Sequence, residues 1–145
     1  GSFTEQAMLE EFLQAGFQAV CYDKWSAEPW QVRAGIEFRS VIITAVKGEG
    51  AECLDQGHAV IYRGPFSYVR DDDGHEYPRG RRMAVCARTY RMLTGTAPYR
   101  DEFIGISPAV ARPPRAWCAP AGTVRPVSET KAGSQVGDTS GSCCS

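Results

Sequence analysis

Residues 83–95, "MAVCARTYRMLTG", change period part-way along. Met83 and Val85 alternate as in a strand. Then Ala87, Tyr90 and Leu93 fall on one helical face, and Gly95 supplies a stop. The switch places Cys86 at or beside the helix N-cap. A thiol there meets unpaired backbone N–H groups and the positive end of the helix dipole, both of which favour the thiolate. A strand feeding directly into a helix, after several turn-punctuated strands, predicts an α+β fold on a mostly antiparallel sheet.

Upstream, "HAVIYRG" (58–64) and "FSYVRDD" (66–72) read as strands, and "DDDGHEY" (71–77) carries an Asp-Gly turn, so 58–85 reads as an antiparallel meander. "IEFRSVIITAVKG" (36–48) is rich in β-branched residues and long enough to lie in mid-sheet. Residues 26–35, "SAEPWQVRAG", read as a loop around Pro29, and 49–57, "EGAECLDQG", as a turn-rich connection. The opening "SFTEQAMLEEFLQAGF" (2–17) predicts a helix with Ser2 and Glu5 at capping-box spacing and Gly16 as its stop. "FQAVCYDKW" follows at once as a strand. "APYRDEFIGISP" (97–108) rejoins the sheet. Beyond Pro108 apolar periodicity stops, Trp117 pins the chain, and a disordered tail is expected past about residue 120. The expected organisation is a helix and strand over 1–25, an α+β domain over 26–118, and a flexible tail over 119–145. Gly1 and Ser2 read as the remnant of a cleaved tag.

A formal net charge of -1 argues against generic phosphate-backbone binding, so no nucleic-acid partner is expected. No apolar run approaches the roughly 18 residues of a spanning helix, and no signal-peptide leader is seen, so the expectation is a cytoplasmic protein without a membrane partner. No G-x-G-x-x-G or G-x-x-x-x-G-K loop occurs, so no cofactor site and no catalytic residue is assigned within this chain.

Chemistry is left to the thiols at 21, 53, 86, 118, 143 and 144. Cys21 sits in a strand and reads as core. Cys53 in a loop, Cys86 at a helix start and Cys118 beside Trp117 are accessible positions, and thiolates meeting in space would suit Zn²⁺, Cu⁺ or trivalent arsenic. The spacing does not say whether they meet. The two histidines, His58 and His75, are each read first as hydrogen-bonded or exposed side chains and second as partners of a thiolate. The charged stretch "DDDGHEYPRGRR" (71–82) reads as a solvated hairpin tip with internal ion pairs. Adjacent Cys143 and Cys144 close into a disulfide only through a strained ring, and free they form a chelating pair on a flexible tether.

The segments "GIEFRSVIITAVKG", "AVIYRGPF", "RGRRMAVCARTYRMLTG" and "YRDEFIGISP", in that order, resemble the C-terminal domain of arsenite methyltransferases. "MLEEFLQAGFQAV" likewise resembles the last helix and strand of a class I S-adenosylmethionine-dependent methyltransferase, and many members end in a cysteine pair like that of "GSCCS". The resemblance spans roughly residues 3–108 and the terminus. It implies an upstream Rossmann-like domain that holds S-adenosylmethionine, with this chain as the accessory domain that presents a thiol-bound metalloid such as As(III). The thiols it points to are Cys53, Cys86, Cys118, Cys143 and Cys144. Where the family carries a cysteine near the start of the strong strand this chain reads Gly35–Phe38, and where the family has an acid at the helix N-cap it has Cys86. A structural zinc module and a substrate-lid or interaction domain without metal are the alternative readings.

Overall fold

The computed structural model describes residues 2–47, 50, 52–95 and 99–130. The chain divides into two compact units, Gly1–Gly50 and Ala51–Ser145.

In the first unit, helix α1 spans Glu5–Gln14. Thr4, not Ser2, is its cap: the Thr4 hydroxyl accepts from the Ala7 N–H at 3.2 Å. Gly16 takes the left-handed φ of +76° that ends the helix, and Phe17 folds its ring edge-on to Phe12 at 5.3 Å. Strand β1, Phe17–Trp25, starts at once, as the sequence predicts. A hairpin of β2 (Gln31–Arg33) and β3 (Ile36–Phe38) follows, where a loop is expected. Ala34 and Gly35 turn it with φ of +50° and +78°, the two positive values a type I′ turn requires. β4, Val41–Lys47, pairs antiparallel with β1.

The long mid-sheet strand expected over 36–48 is therefore two strands. The tight turn sends 36–38 back along 31–33. Arg39 then anchors the corner by donating to the carbonyls of Ser26 and Ala27 and pairing with Glu37. Among the described residues β4 has one neighbour, β1.

In the second unit, β5 (Leu54–Asp55) pairs with β11 (Arg115–Ala116). The central sheet places β6 (Ala59–Tyr62) between β9 (Arg82–Ala84) and β10 (Phe103–Ile106), all antiparallel. β7 (Tyr68–Arg70) and β8 (Glu76–Pro78) form a hairpin of their own. The expected meander is thus interrupted: β9 lies beside β6, and the hairpin between them in sequence pairs within itself. Helix α2, Ala87–Gly95, follows β9, and a 3₁₀ turn at Tyr99–Asp101 leads into β10. The fold is α+β on small antiparallel sheets, with one helix at the start and a second after the strands.

Val60, Tyr62, Tyr77, Met83, Val85, Leu93 and Phe103 form the core. α2 lies close over β10 because Gly105 has no side chain: a Cβ there would sit 2.7 Å from Thr94 Cγ2 and 2.8 Å from Tyr90 Oη. Among the described residues no helix is long and apolar enough to cross a membrane.

The described chain past residue 120, where a disordered tail is expected, is packed against the sheet. Residues 123–125 run beside β9, with Ala84 N–H donating to Thr123 O and Arg125 N–H to Arg82 O, both at 2.9 Å. The buried Arg125 side chain fastens this segment, donating to Asp55 at 2.9 Å, Glu129 at 3.1 Å and the His58 carbonyl at 3.1 Å. A polar-looking stretch is held by one long-range cation rather than by apolar periodicity. Residues 131–145, with Cys143 and Cys144, lie outside the described residues.

Candidate functional site: a dithiol cleft at the start of α2

β9 delivers its chain to the head of α2, and the residue at that junction is Cys86. Its carbonyl accepts from Tyr90 N–H at 2.9 Å, the first bond of the helix. Its sulfur accepts from Thr89 N–H at 3.5 Å and lies 3.3 Å from Thr89 Oγ1. A cysteine followed three residues later by threonine here performs the N-cap role more often given to serine or aspartate. The thiol is buried, with a relative exposure of 5%.

The second thiol comes from the other side of the sheet's connections. Cys53 precedes β5, and its carbonyl accepts from Trp117 N–H at 2.9 Å, which continues the β5–β11 pairing. Its exposed side chain lines the same cleft as Cys86. The two thiols, far apart in sequence, thus stand side by side, both free.

Their environments push them in opposite directions. Burial alone would raise the Cys86 thiol, but it is outweighed by the Thr89 hydroxyl, the Thr89 N–H, the Cys53 S–H and the Arg88 N–H, all aimed at the sulfur. The net effect holds Cys86 below the usual thiol range. Cys53 is raised, first by burial, then by its bond to Cys86 and the neighbouring negative charge. Arg88, ion-paired with Asp73 at 3.3 Å, opposes this in part.

The thiols line a cleft of about 140 Å³. Met83, Val85, Trp117 and Ala119–Gly122 make its apolar wall, and His75, Glu76, Tyr77 and Thr89 its polar one. The wall from Trp117 to Gly122 belongs to the segment that Arg125 fastens. His75 Nδ1 lies 2.9 Å from Asp71 Oδ2, the His75 N–H donates to Asp71 Oδ1 at 2.8 Å, and Tyr77 donates its hydroxyl to Asp71 at 2.7 Å. Burial, followed by the Asp71 carboxylate, raises the Tyr77 phenol far above its ordinary value, so it stays neutral and donates.

Of the cysteines singled out in the sequence, the structure brings Cys53 and Cys86 together. Cys118 is exposed and is not among the cleft residues, although its neighbour Trp117 is. Cys21 lies in the other unit, half-buried on β1, its thiol raised by burial and by Asp23. His58 stacks on Tyr90 at 4.1 Å, away from the cleft lining, with its buried Nδ1 lacking a hydrogen-bond partner. Burial first, then the Arg125 charge, lowers its pKa. Among the described residues no group of three or more His, Cys, Asp or Glu side chains is placed to hold a metal ion.

The hairpin 71–82 is not only a solvated tip. Asp71, with its side chain 7% exposed, organises His75 and Tyr77 against the cleft. Three consecutive aspartates gave no sign of which one turns inward. Thr89 had a readable signal, its capping spacing from Cys86.

Fold and site together define a small α+β domain that carries a cleft-bound dithiol. Residues 49–135 match the family model described as "Domain of unknown function (DUF8838)", and the chain belongs to that family. No curated protein and no solved structure matches the chain.

Proposed function

We propose that this domain captures a thiophilic metalloid such as trivalent arsenic through Cys86 and Cys53. In this reading it is the accessory domain of an S-adenosylmethionine-dependent methyltransferase resembling the arsenite-methylating enzymes, with the methyl donor held by a domain outside this chain. The observation that carries the reading is the pair of free thiols, Cys53 and Cys86, lining one small cleft at the head of α2. Soft acceptors select thiolates over oxygen and nitrogen donors. The Cys86 thiolate makes the first As–S bond, displacing one hydroxyl of arsenous acid, which breaks its As–O bond and leaves as hydroxide that takes a proton from water. Cys53 then closes a two-sulfur chelate and gives up its proton to the departing hydroxide, which leaves as water. The cleft that the two thiols line also presents the apolar side chains of Met83, Val85 and Trp117. The methyltransferase affiliation is supported by the order of the sequence segments.

Titration of the phosphine-reduced full chain with arsenite, with free thiols mapped by alkylation and peptide mass, tests this. Cys53 and Cys86 should be protected together at one equivalent. Alkylation of both at the rate seen without arsenite would refute it.

A further inference from the structure

One feature of the cleft is not required for a chelating site: the two thiols that line it are inequivalent, one buried and capping a helix, the other exposed. We infer that Cys53 and Cys86 are also a peroxide-reactive redox pair, in which Cys86 is the attacking sulfur and Cys53 the resolving one. The redox step itself does not depend on metalloid capture. Its consequence, that the oxidised site cannot bind a soft metalloid, rests on the function proposed above.

The geometry assigns the roles. Cys86 receives the Thr89 hydroxyl and N–H, donors that stabilise negative charge on its sulfur and none of which is offered to Cys53. It lines the cleft, whose wall also includes Thr89 and His75. The Cys86 thiolate attacks the terminal oxygen of a hydroperoxide. An S–O bond forms, the O–O bond breaks, and the alkoxide or hydroxide leaves and takes a proton from water. Cys86 is now a sulfenic acid, oxidised by two electrons, and the peroxide is reduced to alcohol or water. The neighbouring Cys53 sulfur attacks the Cys86 sulfur. The S–S bond forms, the S–O bond breaks, and the hydroxyl departs with the Cys53 proton as water. Overall, two thiols and one hydroperoxide give one disulfide, one alcohol and one water.

Cys53 is placed to resolve the sulfenic acid because it lines the same cleft and sits in a short exposed segment before β5. The apolar wall of Met83, Val85 and Trp117 keeps larger thiols from reaching the sulfenic acid first.

The test treats the reduced full chain with one equivalent of hydrogen peroxide in the presence of dimedone, followed by intact mass and peptide mapping. The wild type should lose two hydrogens and give a cross-linked Cys53–Cys86 peptide with little dimedone adduct. Cys53→Ser should stop at the sulfenic acid and carry dimedone on Cys86. Cys86→Ser, in which serine keeps the helix cap, should react at least about tenfold more slowly. A far-ultraviolet circular dichroism spectrum matching wild type shows that each variant folds. Dimedone on Cys53, a cross-link from Cys86 to any other cysteine, or two free thiols after peroxide would overturn the inference. Arsenite titration of the reduced protein is read separately: thiol protection without disulfide formation leaves the proposed function standing and removes the redox role, and the reverse result does the opposite.

Discussion

Replacing Thr89 by valine isolates what holds Cys86 ready to react. The substitution keeps the side-chain volume and the backbone N–H, and removes the hydroxyl that lies 3.3 Å from the sulfur. A hydrogen bond to a charged group contributes about 1.5–3 kcal/mol. Sulfur is a diffuse acceptor, so the lower end applies, and about 1.5 kcal/mol corresponds to roughly one pKa unit at 1.36 kcal/mol per unit. Both residues are buried, which leaves little solvent screening to discount. The Cys86 inflection should therefore move up by about one unit, toward the ordinary thiol value of about 8.5. The assay is the rate of iodoacetamide modification of Cys86, followed by peptide mass across the pH range on either side of that value. Well below both inflections Thr89→Val has about tenfold less thiolate. That thiolate is more basic and, at a Brønsted slope of about 0.5, about threefold more nucleophilic, for a net threefold loss. Well above both inflections only the nucleophilicity remains, and the variant is about threefold faster. The two profiles must cross. Parallel profiles, or an unmoved inflection, would show that Thr89 does not set the thiolate and that the reasoning about the helix cap is wrong.

Three further outcomes test the scaffold. Arg125→Met leaves Asp55 and Glu129 without their shared cation. Breaking a fully buried pair costs about 3–5 kcal/mol, but these carboxylates retain 30% and 29% exposure, so about 2 kcal/mol is expected. That lowers a urea midpoint by about 1 M for a slope near 2 kcal/mol/M, and a shift under about 0.2 M would contradict it. Gly105→Ala puts a methyl group 2.7 Å from Thr94 Cγ2. The overpacking should cost about 1–3 kcal/mol and lower the melting temperature by at least about 4 °C, whereas an unchanged melting curve would mean that α2 moves freely off β10. His58, lowered by burial and then by Arg125, stays neutral when the unfolded chain takes a proton. Its contribution to stability is complete above the unfolded value of about 6.5 and is lost as the pH falls below it toward the folded value. His58→Gln should lose less stability than wild type between neutral and mildly acidic pH in urea titrations, and equal losses would refute the assignment.

The local parts of the fold were legible. Gly16 marked the end of α1 and the start of β1, and the change of period at residues 83–95 located both α2 and Cys86 at its cap, because each signal lies within a few residues of what it specifies. The long strand at 36–48 misled because β-branched residues favour extended backbone without saying where it turns. There the two positive-φ residues, Ala34 and Gly35, and the Arg39 corner decided the path. The site was half legible. The lowering of the Cys86 thiol follows from helix-end physics, but its sharing a cleft with Cys53 goes with β5 pairing with β11 and Arg125 reaching back to Asp55. The inward turn of Asp71 is equally non-local in effect: its hydrogen bonds to His75 and Tyr77 exist because β8 packs Tyr77 into the core.

The central claim is that Cys53 and Cys86 act together on a soft metalloid, and X-ray absorption at the arsenic edge tests it most directly. The reduced chain, with one equivalent of arsenite and no added thiol, should show sulfur neighbours on arsenic, and the number should fall by one in Cys53→Ser and again by one in Cys86→Ser. An arsenic shell made only of oxygen, or a sulfur count unchanged by both substitutions, would contradict it.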